Sequence, residues 1–524
     1  MTRAGRRRHR TARDALARAA ALLLLVAALA PAASGAPTPA GEAEAPPPAE
    51  SASAAPRASR NHGRIRRART PKPTPSPHPT PAPPAGETPT PAATPVAPGD
   101  EAPRTGSEDR PGGGPQGGEP AGPASIGAVE AELEDRAGTS PPNAVFAWKQ
   151  RMIDAGITPA LQQSALLWSN VHGGREPGTT ELTGFFSAAF DLDLEKLLGT
   201  WHGLALRVGW NWYQGPTPTT SLLGGLGNMS VSYYEASNAF RFYEIRLRQD
   251  FGPDDRWSFE IGQLGADLDF MCSRYAALYQ NGTFGAFSSF TSVRNTTQVF
   301  RAPIYPLAAP GALLRMGLPA NLDARIGVYT ADAGQDVVSN WGFGWRLGHG
   351  AGATVFWELE AGIRPGGRPG GLTIGGWSVL AQQDSPEIDI LEPSNLAFYA
   401  SFDQAILADA AGEPRLGAFA RVAVNEQLNA DPILLNAEAG LNLFRPLPLR
   451  PDDVLGLAFG TTRFGDQIRQ LLPDLPVGET VVELTYQAQV TPWLMIQPDL
   501  QWFFSPAISR RDSLLLGLEV SATY

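Results

Sequence analysis

The chain has 524 residues, 43% hydrophobic and 18% charged, with 56 Gly, 49 Pro, six His and a single Cys. So few charges and so many glycines disfavour a long charged helix or coiled coil, and the lone Cys272 excludes an intramolecular disulfide framework and any CxxC metal or redox site. The formal charge is -10, and a leader with seven Arg against Asp14 accounts for +6 of it, which leaves -16 and disfavours wholesale nucleic-acid binding.

Residues 1–35 predict an export signal that is cleaved: Arg6 to Arg8 and Arg10 give the positive end, Ala19 to Ala30 the apolar run, and Ala33-Ser34-Gly35 the small-residue cleavage site. The run is too short to cross ~30 Å of hydrocarbon. Residues 36–142 are rich in Pro, Ala, Thr, Ser and Gly, whereas all 46 aromatic residues lie from Phe146 onward. Without aromatics to offset ordering entropy, this stretch is expected to be a disordered, partly polyproline-II spacer. Its basic cluster (Arg57, Arg60, Arg64, Arg66, Arg67, Arg69 and Lys72) is either solubilising charge or a contact with an anionic envelope polymer such as peptidoglycan.

Residues 143–156 predict a short helix, with Asn143 as N-cap, Ala144 to Ala155 as the body and Gly156 as the stop. From residue 157 to 524 the period changes to two. Leu514, Leu516, Leu518, Val520, Ala522 and Tyr524 alternate with Ser513, Leu515, Gly517, Glu519, Ser521 and Thr523. Val482 to Val490, Leu494 to Phe504, Leu435 to Leu443, Ala418 to Val424, Val355 to Ile363 and Leu204 to Trp212 repeat the pattern.

The polar side of these strands carries Gln, Asn, Thr, Gly and isolated Arg or Glu, while lysine occurs only at Lys72, Lys149 and Lys196. A soluble sandwich would present many Lys and Glu to bulk water. An exported chain with bilayer-length alternating strands is therefore read as an all-β, closed transmembrane antiparallel barrel with a polar lumen. Its 379 residues beyond the linker accommodate about 16 strands. Thr491-Pro492 is expected as a tight inner turn, with long external loops at Phe464 to Thr480 and Ser505 to Asp512.

No catalytic, cofactor or metal site is expected, because the six His show no HxH or HxxxH spacing and lack a nucleophile context. The chemistry sits in the lumen instead. Glu244, Arg246 and Arg248 alternate with Tyr243, Ile245 and Leu247 and so are expected to point inward as a mixed-sign ladder. Forked Arg donors beside carboxylates suit a sugar's vicinal hydroxyls, and equally suit ion pairs that brace the wall. Arg207, Arg325 and Arg421 are further inward candidates. The irregular stretch from Asp267 through Tyr275, Tyr279, Asn281 and Phe284 is expected to be an inward-folded loop whose aromatic faces stack on sugar or pack the barrel.

The chain from about Ala144 to Tyr524 resembles the OprB-type carbohydrate-selective porins of bacterial outer membranes. The resemblance rests on Gly262-Gln263-Leu264-Gly265-Ala266-Asp267, Asn281-Gly282-Thr283-Phe284-Gly285, Tyr305-Pro306-Leu307-Ala308-Ala309-Pro310-Gly311, Arg450-Pro451-Asp452-Asp453-Val454-Leu455-Gly456, and Glu483-Leu484-Thr485-Tyr486 followed by Thr491-Pro492-Trp493 and Gln497-Pro498-Asp499-Leu500-Gln501. It implies a sixteen-stranded barrel in the outer membrane of a Gram-negative bacterium and passive uptake of glucose and related sugars through an arginine-containing constriction. Glu244, Arg246, Arg248, Asp267, Tyr275, Asn281 and Phe284 are the candidate constriction residues. Arg246 and Arg248 depart from the more acidic and apolar strand expected of the family. A general cation-preferring porin and a tether to peptidoglycan through the spacer are the competing readings.

Overall fold

The computed structural model describes residues 144–199, 201–225, 229–288, 290, 303–347, 352–380, 396–425 and 433–524, all within one compact unit. The expected leader, spacer and Asn143 cap lie outside these residues. Helix α1 (Ala144–Asp154) is followed by Gly156 at φ +87°, a conformation that glycine adopts without the clash a Cβ would bring.

The period-two segments form strands. In chain order they are β1 (Ile157–His172), β2 (Thr180–Asp193), β3 (Leu204–Gln214), β4 (Phe240–Phe251), β5 (Trp257–Leu264), β6 (Ala309–Leu318), β7 (Leu322–Thr330) and β8 (Ala353–Ile363). They continue as β9 (Gly370–Leu380), β10 (Leu396–Ala408), β11 (Pro414–Asn425), β12 (Ile433–Phe444), β13 (Val454–Phe464), β14 (Gly478–Thr491), β15 (Leu494–Phe504) and β16 (Ser513–Thr523). Each pairs antiparallel with its chain neighbours, and β16 pairs with β1, Leu518 opposite Leu167, so the barrel closes with no free edge.

The alternation fixes which face is which. On β16 the side chains of Leu516, Leu518 and Val520 are exposed on the outer face while Ser513, Glu519 and Ser521 are buried inward, and β12 sets Leu441 and Leu443 against Asn436, Glu438 and Asn442 in the same way. The inner face is less uniformly polar than its sequence suggests. Trp168, Tyr213, Phe356, Phe419, Phe503 and Leu515 also point inward and are buried, because two loops fold into the lumen and need apolar footing there. Among the described residues no helix is long and apolar enough to cross a membrane; the strands do the spanning.

One rim has short connections at 252–256, 319–321 and 492–493, and the other has the long segments 215–239 and 265–308. Short turns mark the periplasmic rim of such barrels and long loops the external one. The 465–477 connection starts one residue after the expected loop, ends three residues before its expected end, and contains a short helix, Asp466–Leu471.

The wall is low on one side. β5 has eight residues, against 16 in β1. Tilted by about 40°, eight residues rise only about 20 Å, short of the ~25 Å apolar band. Above Ile245, which pairs with Gln263, β4 has no β5 partner. Segment 331–347 fills this notch: Phe242 N–H donates to Trp341 O at 3.0 Å, and the buried Arg241 guanidinium meets Asp336 at 2.6 Å and donates to Asn340 O and Val337 O at 3.0 Å each.

Candidate functional site

Where β5 stops, the chain leaves the wall at residue 265, its described residues up to 288 cross the lumen, and the wall resumes with β6 at Ala309. This is the inward-folded loop expected from the irregular stretch after Asp267. Its backbone is tied to the wall by charged side chains at successive strands. Met271 N–H donates to Glu358 on β8 at 3.0 Å, and Arg325 on β7 donates to Asp269 O at 2.9 Å. Asp403 on β10 accepts from Ser273 Oγ at 2.7 Å and Tyr275 N–H at 3.2 Å. Arg421 on β11 donates to Phe284 O, Met271 O and Gly285 O at 2.5, 2.8 and 2.7 Å. On the far side, Glu483 of β14 accepts from Gln280 N–H at 2.6 Å and Asn281 N–H at 3.0 Å, and the Gln280 side chain donates to Glu519 of β16.

Apolar sockets hold the same loop. A methyl at Gly417 on β11 would stand 2.5 Å from the Tyr275 ring, and one at Gly456 on β13 would stand 3.0 Å from the Tyr279 ring, so both rings lie where a larger wall residue would have its side chain. Asn281 caps a single 3-10 turn, accepting from Thr283 N–H at 3.0 Å, and donates to Gln501 on β15 at 3.0 Å. The 215–239 segment packs on top: Tyr233 N–H donates to Gln280 O at 3.0 Å and Gly282 N–H to Ser230 O at 2.9 Å. At the loop's start, Asp267 accepts from Tyr243 Oη at 3.1 Å and Tyr305 N–H at 3.2 Å, and burial pushes its carboxyl up to about 6 against the pull of those two hydrogen bonds.

The opposite wall carries a chain of ion pairs from β2 to β8. Arg207 on β3 lies opposite Arg246 on β4, and a single carboxylate, Glu244, bridges the two at 2.9 and 2.6 Å. Arg246 also pairs with Glu260 and, at 2.9 Å, with Asp269; Arg315 joins the same two carboxylates. Arg207 reaches Asp191, and Arg325 reaches Glu358 at 3.0 Å and Glu360 at 2.7 Å. Asp191, Arg207, Arg315 and Glu360 each keep part of the side chain exposed to the lumen.

The expected inward ladder on β4 holds in direction and changes in detail. Glu244 and Arg246 face inward and are buried in the chain of pairs. Arg248 stands apart near the short-turn rim, 38% exposed, and pairs with Asp250 at 2.7 Å. Tyr243, read as an outward residue, also points inward, because a bulge sets Phe242 opposite Trp210 and Glu244 opposite Gly209 and leaves Tyr243 without a cross-strand counterpart between them. Tyr275, Asn281, Phe284 and Asp267 are in the lumen but no more than 3% exposed. The structure therefore brings six of the seven candidates together as fasteners of the loop and wall, without open faces for a solute. Sequence reasoning missed Glu260, Asp269, Arg315, Glu358, Asp403 and Glu483. Glu358 and Glu483 had a local signal, since they fall within the alternating segments Val355 to Ile363 and Val482 to Val490.

A family model described as carbohydrate-selective porin, OprB family, matches residues 182–524. The high-pH structure of OprB from Pseudomonas putida is similar with a TM-score of 0.62 at 19% identity, over 72% of this chain and 96% of that one. The low-pH structure of the same protein gives a TM-score of 0.46 at 15% identity, over 72% and 96% of the two chains. No curated protein sequence matches the chain.

Proposed function

The chain belongs to the OprB family of carbohydrate-selective porins, and we propose that it passes neutral sugars such as glucose by passive diffusion into the periplasm of a Gram-negative bacterium. The observation that supports this reading most is the wall of paired Arg and carboxylate groups, partly open at Asp191, Arg207, Arg315 and Glu360, facing a loop fastened across the lumen. Neutral polyols exchange hydrogen bonds with both donors and acceptors there, whereas an ion meets charges of both signs. Glu244, Arg246, Asp267, Tyr275, Asn281 and Phe284 set the shape of the passage by holding loop and wall, and Arg248 lines its periplasmic end.

Barrels of this kind lie in the outer membrane, with lipid against the exposed Leu, Val and Phe of the outer face. Export through a cleaved signal within 1–35 and a contact of the basic spacer with peptidoglycan complete the proposal. A second reading, a cation-preferring diffusion porin, is favoured by Glu479, Glu483, Asp499 and Glu519, inward carboxylates of β14 to β16. Liposome swelling with sugars and with equally sized cationic and anionic solutes separates the two. Faster swelling with neutral sugars supports carbohydrate selectivity, and faster swelling with the cation supports the second reading.

A further inference from the structure

Segment 331–347 follows β7 and lies in the wall itself, beside β4 in the notch that the short β5 leaves. Phe242 N–H donates to Trp341 O at 3.0 Å, and Gly342 sits so close to Phe242 O that a Cβ there would collide with it. The segment thus takes the place of the missing strand residues, at the level where β5 falls short of the apolar band.

Irregular backbone is tolerated at membrane depth only where protein groups satisfy its N–H and C=O. Here they do so from within. The buried Arg241 guanidinium donates to Asn340 O and Val337 O at 3.0 Å each. The buried Asn340 side chain accepts from Gly342 N–H at 2.9 Å and Gly344 N–H at 3.1 Å, and donates to Gln335 O at 2.8 Å. Asp332 accepts from Gly334 N–H on its carboxylate and from Arg346 N–H on its carbonyl, at 3.0 Å each.

The outward side chains are of the opposite kind. Val337, Val338, Trp341, Phe343 and Leu347 are all exposed, Val338 at 66% and Trp341 at 61%. They continue the outer-face aromatic row of the strands. Phe190 stacks on Trp210 with ring centres 5.8 Å apart, Trp210 meets Phe242 at 6.5 Å, Phe242 meets Phe343 at 5.5 Å, and Phe240 meets Trp341 at 6.2 Å. Gln335, Ser339 and Arg346 are exposed as well, the mixture suited to the level where hydrocarbon meets headgroups.

We propose that residues 337–347 are a lipid-contacting patch of the wall, a non-strand stretch whose aromatic and aliphatic side chains meet acyl chains at the outer-leaflet edge of the hydrocarbon. The proposal rests on the outer-membrane reading given above and goes beyond it, since a β7–β8 connection would otherwise belong to the water-exposed rim. The unbroken ring row from β2 through β4 favours lipid over a second copy of the chain, because the strand part of that row already faces lipid.

The test uses the full-length protein in liposomes, in a Cys272→Ala background, with a nitroxide attached at Val338→Cys, Trp341→Cys or Phe343→Cys. Collisions with oxygen, which concentrates in hydrocarbon, and with a neutral nickel chelate, which stays in water, are read by power saturation. The controls are Trp502→Cys, exposed on the outer face of β15 near the same rim, and Arg511→Cys on the exposed 505–512 loop. The three sites are expected to give the oxygen-to-nickel ratio of Trp502→Cys, well above that of Arg511→Cys. A ratio equal to that of Arg511→Cys overturns the proposal, because the segment then faces water. Restricted access to both reagents with spin–spin broadening overturns it in favour of a second copy. Val338→Cys changes little volume and disturbs no ring pair, so its ratio decides the matter if the aromatic variants fail to assemble. A water-like ratio at Trp502→Cys refutes the membrane reading itself, whereas a lipid-like ratio there with a water-like one at Val338→Cys refutes the patch alone.

Discussion

The two sides of the lumen use the same alternation for different ends. From β2 to β8 the inward positions hold Arg and carboxylate in nearly equal number, each neutralising the next. From β12 to β16 they hold carboxylates and amides: Glu438, Glu479, Glu483, Asp499 and Glu519 with Asn436, Asn442, Gln497 and Gln501, and Arg421 of β11 pairs with Glu438. On that side the partners come from the loop, as N–H groups and the Gln280 amide. One wall pairs mostly among its own side chains and takes in a single carboxylate, Asp269, from the loop, and the other is completed by the segment that crosses to it. A polar inward residue in a barrel is thus as much a fastener as a lining, and burial decides which.

Breaking the ion-paired side should have the largest effect. Arg246→Ala leaves Glu244, Glu260 and Asp269 buried with their shared cation gone, a loss of about 3 to 5 kcal/mol. The expected outcome is poor assembly and a much lower temperature for loss of the heat-modifiable barrel on gels. Equal heat stability of variant and wild type would show that the chain of pairs contributes nothing to the wall.

The loop-completed side should respond more gently. Gly417→Val places branched carbons where the Tyr275 ring lies and costs about 1 to 3 kcal/mol of loop docking without unpairing any wall charge. The barrel should assemble and keep its strand content by circular dichroism, while channel recordings become noisier. A fall in stability as large as that of Arg246→Ala would erase the distinction between the two sides.

The smallest effect concerns the short-turn rim below β2 to β5, where His202 bridges Glu195 and Asp255 at 2.9 Å each. The hydrogen bond to Asp255 and then that to Glu195 hold its pKa above the ordinary histidine value. A raised pKa stabilises the fold below the unfolded value of about 6.5 and loses that contribution as pH rises through the folded one. His202 is fully exposed to solvent screening, so His202→Gln should lower the melting temperature slightly at pH 6 and not at pH 9. A larger deficit at pH 9 would reverse the assignment.

The strands were legible because each span needs alternation, and Leu435–Leu443 and Ala418–Val424 fall within β12 and β11. The inward loop was legible as a break in that period. What no local pattern carries is the pairing between distant segments: Glu483 and Gln280 meet across the lumen, and Asp269 joins Arg246 from a stretch with no period at all. The Tyr243 bulge was hidden for another reason. A single extra residue shifts the face of everything beyond it, and Phe240 to Tyr243 reads as well in either register. The aromatic loop residues looked like sugar platforms because their composition suits one, but the glycines that receive them lie far away in sequence.

If a loop fastened across the lumen through Asp403 and Glu483 sets the passage, releasing those two fasteners should change the pore while leaving the barrel intact. Single-channel conductance of the double variant Asp403→Asn, Glu483→Gln reads this, since both changes keep size and remove the carboxylate that accepts the loop's N–H groups. The expected result is a correctly folded channel whose conductance rises and fluctuates between levels, with weakened glucose block. A folded double variant with the steady conductance and glucose block of the wild type would contradict the role of the loop.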